Sequence, residues 1–257
     1  MQLKILPDIY AAASRVGAVV ADVASHGLDV LYPRRCGGCG NIPAGHGMHL
    51  CWDCLADAVY VKDPFCSRCG DPVEGAVYHA FECSWCRRNQ PAFVAARSAV
   101  RFRGAMKEVL HRFKYGKACH LSGDLSHLLA GCVNAHFSDI RFDGVAYVPL
   151  YPRKARERSY NQARLLAVDM ARKLSLPILH RSLKLTRMTE TQTHLNAEER
   201  KANVRGAFEV VMPAWIEGRR LLLVDDVMTT GATVGECARV LMAAGALSVH
   251  VVTVARG

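Results

Sequence analysis

The chain has 257 residues, 51% of them apolar, enough for one sizeable core plus a small module. Lys plus Arg number 33 against 23 for Asp plus Glu. The resulting charge of +10 favours anionic partners: phosphorylated metabolites, nucleic acid or an acidic membrane surface.

At the N-terminus, Lys4, Asp8, Arg15, Asp22 and Asp29 interrupt every apolar run. No stretch reaches the ~18 uncharged apolar residues that cross a bilayer, and no transmembrane segment is expected. A signal peptide would need a longer unbroken apolar core and a small-residue cleavage site. Residues 9–31 read instead as one or two helices with an apolar face docked on the rest of the chain. Their polar face is not basic enough to favour a membrane anchor. The expected location is the cytoplasm.

Eight of the 11 cysteines follow as Cys-x-x-Cys pairs: Cys36/Cys39, Cys51/Cys54, Cys66/Cys69 and Cys83/Cys86. Each pair can set two thiolates on one tight knuckle, and two knuckles complete a tetrahedral zinc site. A disulfide framework is the competing reading. In a reducing cytosol thiols stay free for metal, so two structural zinc ions are expected. Sequential pairing would put Cys36, Cys39, Cys51 and Cys54 on one ion, and Cys66, Cys69, Cys83 and Cys86 on the other. It is favoured, but the spacing also allows a cross-braced arrangement. His46 and His49 could replace a thiolate, though four cysteines per site suffice. The segment has few large aliphatic residues, so metal is expected to supply much of its folding free energy, separately from the rest of the chain. Cys119, Cys132 and Cys237 read as ordinary core residues.

From residue 93 the texture changes. Residues 93–102 alternate like a strand. Residues 105–114 read as a helix with Met106, Val109, Leu110 and Phe113 on one side, and residues 121–135 as a second helix. Residues 144–150 form a short apolar strand, residues 161–174 a helix, and residues 176–180 another short strand. Residues 221–224 and 247–255 are strands. Alternating strands and helices argue an α/β fold with a mainly parallel, doubly wound sheet, whose sites lie at the C-terminal ends of strands.

Two of those ends stand out. After the strand ending at Leu150, Arg153, Lys154, Arg156 and Arg158 follow within six positions. Guanidinium forks suit phosphate oxygens, and the location after a strand end raises that reading, although a basic run is often just a solvated helix start. Residues 188–208 look like a flap followed by a helix from about Asn196, with Gln192, Arg200 and Asn203 able to close over a ligand.

The second end is LLLVDDVMTTGAT, residues 221–233. A buried strand leads into Asp225 and Asp226, then a turn of Thr229, Thr230, Gly231, Ala232 and Thr233, then a helix over residues 234–244. Unpaired N–H groups at a helix start favour an anion, Thr hydroxyls add donors, and Gly231 admits close approach. The carboxylates can accept hydrogen bonds from ribose hydroxyls. A plain helix cap after a core strand explains one Thr and one Asp, not the set.

This stretch resembles the PRPP-binding motif of type I phosphoribosyltransferases. The resemblance implies that Asp225 and Asp226 hold the ribose hydroxyls and that residues 229–233 cradle the 5′-phosphate. Asp225, Asp226 and Arg158 then become the candidate catalytic residues, and Arg153 and Arg156 join them in neutralising pyrophosphate, with magnesium accompanying PRPP.

The whole chain resembles the ComF competence-protein family. The likeness rests on the lead-in LDVLYPRRCGGCG, the cysteine pairs, the segment HRFKYGKA, the run Arg158-Ser159-Tyr160-Asn161-Gln162, the Thr-x-x-Gln and Arg-x-x-Asn segments, and the PRPP motif. Many relatives carry Gly and Phe where this chain has Ser159 and Tyr160. The resemblance implies an N-terminal helical lead-in (1–35), a double zinc ribbon (36–90) and a phosphoribosyltransferase-like domain (91–257). It also implies PRPP as ligand, and single-stranded DNA and other DNA-uptake proteins as candidate partners in natural transformation. The alternative is a metabolic phosphoribosyltransferase with an unidentified nitrogenous acceptor and no DNA role.

Overall fold

The computed structural model describes residues 34–42, 47–73, 75, 77, 79–188 and 196–257. The helices expected over residues 9–31, most of the lead-in, His46 and Gln192 lie outside the described residues.

Two short helices, α1 (Trp52–Ala56) and α2 (Ser84–Asn89), belong to the cysteine module. Strand β1 (Ala95–Arg101) is followed by α3 (Gly104–Tyr115) and α4 (Ser122–Phe137). Next come β2 (Gly144–Tyr147), α5 (Pro152–Arg158) and α6 (Gln162–Lys173). A small antiparallel pair, β3 (Leu183–Leu185) with β4 (Phe208–Val210), brackets α7 (Ala197–Val204). The chain closes with β5 (Arg220–Met228), α8 (Ala232–Ala243) and β6 (Ser248–Arg256).

The main sheet is parallel, in the order β1-β6-β5-β2. Its strands are buried on both faces, as their continuous Val/Leu runs require. The expected strand over residues 176–180 reduces to a single bridge, Ile178 to Val145, outside β2. Pro177 has no N–H to give a ladder, which limits the pairing. The connections from β1 to β2 and from β2 to Ile178 travel one way across the sheet, and β5 to β6 travels the other. Right-handed crossovers therefore put α4 and α6 on one face and α8 on the opposite face. The sheet is doubly wound, as expected. On α3, Met106, Val109, Leu110 and Phe113 are all fully buried, the i, i+3, i+4, i+7 stripe of an amphipathic helix.

The cysteine module is not a separate body. One buried cluster runs from Cys36 and Leu50 through Phe93 and Val100 to Val254. β1 is an edge strand, and the module covers that edge. Val61 N–H donates to Ala99 O (3.1 Å), Arg101 N–H to Val59 O (2.7 Å) and Ala96 N–H to Arg68 O (2.7 Å). Asp124 Oδ2, from α4, accepts from the N–H groups of His49 (2.7 Å) and Leu50 (2.8 Å). An uncovered strand edge leaves unpaired backbone groups, and here the module pairs them, so it and the α/β part share one buried cluster.

Candidate functional site

β2 and β5 are neighbours whose following helices, α6 and α8, leave to opposite faces. In such sheets the crevice past the strand ends at this switch point is where ligands sit. β2 stops pairing with β5 at Val224, but β6 pairs with β5 on to Met228. Asp225 and Asp226 were expected after the strand; they lie within it, because β6 carries the ladder further. Consecutive strand residues point to opposite faces. Asp226 meets Lys114 of α3, Oδ1 to Nζ 3.2 Å. Asp225 faces α8, where its charge helps raise the pKa of the buried Cys237 thiol. Asp226 N–H donates to Asp225 Oδ1 at 2.9 Å. Burial, and then the neighbouring Asp226 charge, push the Asp225 carboxyl up to about 7, against the pull of that N–H, Lys114 and Arg158.

Asp225, Thr229, Thr230, Gly231, Ala232 and Thr233 line one depression at the start of α8. Gly231 sits at φ +77°, a left-handed backbone that strains any side chain, so the turn favours glycine. Arg200 of α7 reaches this turn, Nη1 donating to Thr229 Oγ1 at 2.9 Å. α7 starts where expected, in a capping box: Glu199 N–H donates to Asn196 Oδ1 (2.9 Å) and Asn196 N–H to Glu199 Oε2 (2.7 Å).

The basic run expected as a pyrophosphate loop is the helix α5, which Pro152 opens at a position where proline fits. Helical spacing separates its arginines. Arg153 is exposed and pairs with Glu157 (3.1 Å), and Arg156 is exposed as well. Arg158 is half-buried and turns inward. Its guanidinium lies 4.8 Å from the Tyr115 ring centre, donates to Tyr115 Oη at 3.3 Å and helps hold the Asp225 pKa down. The two departures from the family pattern have physical roles. Ser159 ends α5 at φ +69°, a left-handed position that glycine takes more readily. Tyr160 donates its hydroxyl to Phe113 O at 2.7 Å, a bond phenylalanine cannot make. Gln162 Nε2 donates to Phe113 O and Lys114 O, both at 3.3 Å. The end of α3 is thus tied to both limbs of the site.

Lys114 and Tyr115 were not singled out as site residues from the sequence. The segment HRFKYGKA contributes to the family likeness, but nothing local indicates that its Lys-Tyr pair meets residues some 45 and 110 positions further on.

The eight module cysteines form two sets, Cys36/Cys39/Cys51/Cys54 and Cys66/Cys69/Cys83/Cys86, each with its sulfurs within 4.8 Å of one another. This is sequential pairing. Four sulfurs about 2.3 Å from a tetrahedral zinc stand ~3.8 Å apart. Cys39 and Cys51 Sγ are 3.6 Å apart, and Cys69 and Cys83 Sγ 3.8 Å. Cys51 and Cys83 cap α1 and α2, where Cys54 and Cys86 N–H groups donate to their sulfurs at 3.4 and 3.5 Å. All 11 cysteines are free thiols, so the donor sets fit two structural zinc ions. Of the three isolated cysteines, Cys132 and Cys237 are buried, but Cys119 is exposed, on the short 3-10 turn before α4. Among the described residues, no helix is long and apolar enough to cross a membrane.

Residues 27–90 match the double zinc ribbon domain, and residues 161–257 the phosphoribosyl transferase domain. The DNA utilization protein YhgH of Salmonella typhimurium is 29% identical over 219 residues, 79% of this chain and 94% of that protein. Competence protein ComFC of Bacillus subtilis is 29% identical over 201 residues, 76% of this chain and 79% of that protein. Competence protein F of Haemophilus influenzae is 30% identical over 198 residues, 75% of this chain and 85% of that protein. With both domains matched in order and that coverage, the chain belongs to the ComF competence-protein family.

Proposed function

We propose that the chain binds PRPP with magnesium at the crevice past β2 and β5, and that it acts in the uptake or handling of single-stranded DNA. The observations that carry the ligand are the depression that Asp225 shares with the turn at residues 229–233 and, next to it in the strand, the contact of Asp226 with Lys114, with Arg158 near enough for its charge to act on Asp225. Ribose hydroxyls donate to Asp225 and Asp226, and the turn receives the 5′-phosphate. Arg158 faces the pyrophosphate; Arg153 and Arg156, on the solvent side of α5, contribute longer-range positive charge. The hard carboxylate oxygens of Asp225 and Asp226 would suit magnesium, which when bound would supply charge neutralisation.

If turnover occurs, an N–H acceptor attacks C1′ through its nitrogen, the C1′–O bond breaks, the electron pair leaves with pyrophosphate, and the nitrogen's proton passes to water. Arg158 and Lys114 stabilise that leaving charge, and the carboxylates stabilise positive charge developing on the ribose. The residues present do this by placement and electrostatics.

The DNA role is supported by the names of the relatives, two competence proteins and a DNA utilization protein. The +10 charge agrees with it. A metabolic phosphoribosyltransferase without a DNA role is the second reading, favoured by the intact motif alone. The division into a lead-in (1–35), a ribbon (36–90) and a transferase-like domain (91–257) belongs to the same proposal, as does a cytoplasmic location.

Two measurements separate the readings: pyrophosphate release from PRPP against a panel of nucleobases, and single-strand binding across salt concentrations. Salt-sensitive, weakly sequence-dependent strand binding supports the DNA role. No strand binding at low salt, with turnover on one base, leaves the metabolic enzyme.

A further inference from the structure

A chain of bonds runs from the second cysteine set to the phosphate turn. In the knuckle after Cys66, Cys66 N–H donates to Asp71 O at 2.8 Å and Gly70 N–H to Cys66 O at 2.9 Å. Gly70, at φ +67°, lets this knuckle lie against β1; a Cβ there would stand 2.5 Å from Ala96 O. The knuckle thereby fixes Asp71, whose Oδ1 lies 3.2 Å from Arg256 Nη2 at the end of β6. Arg256 Nη1 donates to Met228 O at 3.1 Å, and Gly257 N–H donates to the same oxygen at 2.9 Å. Met228 ends β5, and the turn begins at the next residue, Thr229.

Arg256 is buried, and Asp71 is its one carboxylate partner among the described residues. Without Asp71 the enclosed guanidinium is left uncompensated, which drives the side chain toward water and off Met228 O. The turn then loses the anchor immediately before Thr229. Backbone N–H groups bind an anion well only when they are already in place. Asp71 does not line the depression that Asp225 shares with residues 229–233, so it acts there through Arg256, as a positioning residue. The first cysteine set is anchored elsewhere. Asp124 of α4 accepts from His49 and Leu50 N–H, and Arg112 of α3 donates to Cys36 O at 3.4 Å.

We propose that Asp71 and Arg256 couple the second cysteine set to the phosphate turn, so that zinc in that set and PRPP at the turn stabilise one another. The proposal rests on the reading of residues 229–233 as the sugar-phosphate turn. Coupling between two sites is reciprocal: whatever the closed knuckle adds to PRPP binding, bound PRPP adds to the retention of zinc. The second ribbon therefore holds the ligand site in shape as well as covering the edge of β1.

The zinc-loaded protein is exposed to iodoacetamide with and without PRPP and magnesium, and peptide mass spectrometry follows alkylation of each cysteine set. The expected result is that PRPP slows alkylation of Cys66, Cys69, Cys83 and Cys86 about ten-fold, beyond any slowing at the first set. General stabilisation of the fold would slow both sets alike. The Asp71 side chain is 45% exposed, so Asp71→Ala spares the core. In that variant the difference between the sets should vanish, and PRPP should bind about ten-fold more weakly. Asp71→Asn keeps an oxygen that accepts from Arg256 and should fall between the two. Equal slowing of both sets in the parent, or a difference that survives in Asp71→Ala, overturns the coupling. PRPP binding by the parent is read separately as a melting shift. A shift with equal slowing sinks the coupling alone, whereas a missing shift sinks the sugar-phosphate reading and the coupling with it.

Discussion

Lys114 Nζ lies 3.2 Å from Asp226 Oδ1, joining the last turn of α3 to the strand that bears the acidic pair. Both side chains are mostly enclosed, 21% and 11% exposed. Removing one partner of an enclosed pair leaves the other uncompensated, so Lys114→Met should destabilise by about 1–3 kcal/mol, below the fully buried range because some solvent remains. Asp226→Asn in the same protein should recover much of that loss. A denaturant-unfolding cycle measures the coupling. Additive single effects would contradict the contact.

Ser159 holds φ +69° at the end of α5. Side chains strain this region and glycine does not, so Ser159→Gly should raise stability by roughly 0.5–1 kcal/mol. Unfolding midpoints of the two proteins test it, and a loss of stability would contradict the strain argument.

Asp225 gives a pH signature. Its carboxyl titrates near 3.8 when unfolded and near 7 when folded. Between those values the folded state holds a proton that the unfolded state has lost, so this group makes stability fall as pH rises. Below about pH 4 both states are protonated and above about pH 7 both are ionised, so the slope is confined to that window. Asp225→Asn removes it. The variant should gain stability relative to the parent as pH rises through the window, in urea titrations at several pH values. A constant difference would contradict the raised pKa.

Zinc removal tests the shared core. The module pairs the edge of β1 at Ala96, Ala99 and Arg101. A strong chelator should therefore lower the melting temperature of the whole chain in one transition, with two zinc ions released. Two transitions, the higher unmoved, would mean that the α/β core is independent. Cys51→Ser, which removes a ligand of the first set alone, should also lower the melting temperature in one transition.

The contiguous parts of this account were legible in the sequence. Four apolar residues, two carboxylates and a Thr-Gly turn occupy one stretch, and four knuckles declare their own spacing. The buried stripe on α3 follows from helical period alone. What was not legible came from distance or brevity. Lys114 and Tyr115 reach Asp226 and Arg158 only through the packing of α3 against distant parts of the chain. β3 and β4 are three residues each, too short to show alternation. β5 outlasts its apolar run because β6 keeps pairing it to Met228. Arg153, Arg156 and Arg158 looked equivalent in a list of charges, and helical spacing in α5 turned only Arg158 inward.

The central claim is that Asp225 and Asp226 hold the ribose of PRPP. The most direct measurement is calorimetric titration of PRPP with magnesium, at about pH 8 so that Asp225 is ionised, into the parent protein and into Asp225→Asn/Asp226→Asn. The account predicts saturable binding to the parent, and an affinity at least a hundred-fold weaker in the double variant, which should still melt cooperatively. Equal affinity in both proteins, or no binding to the parent, would contradict it.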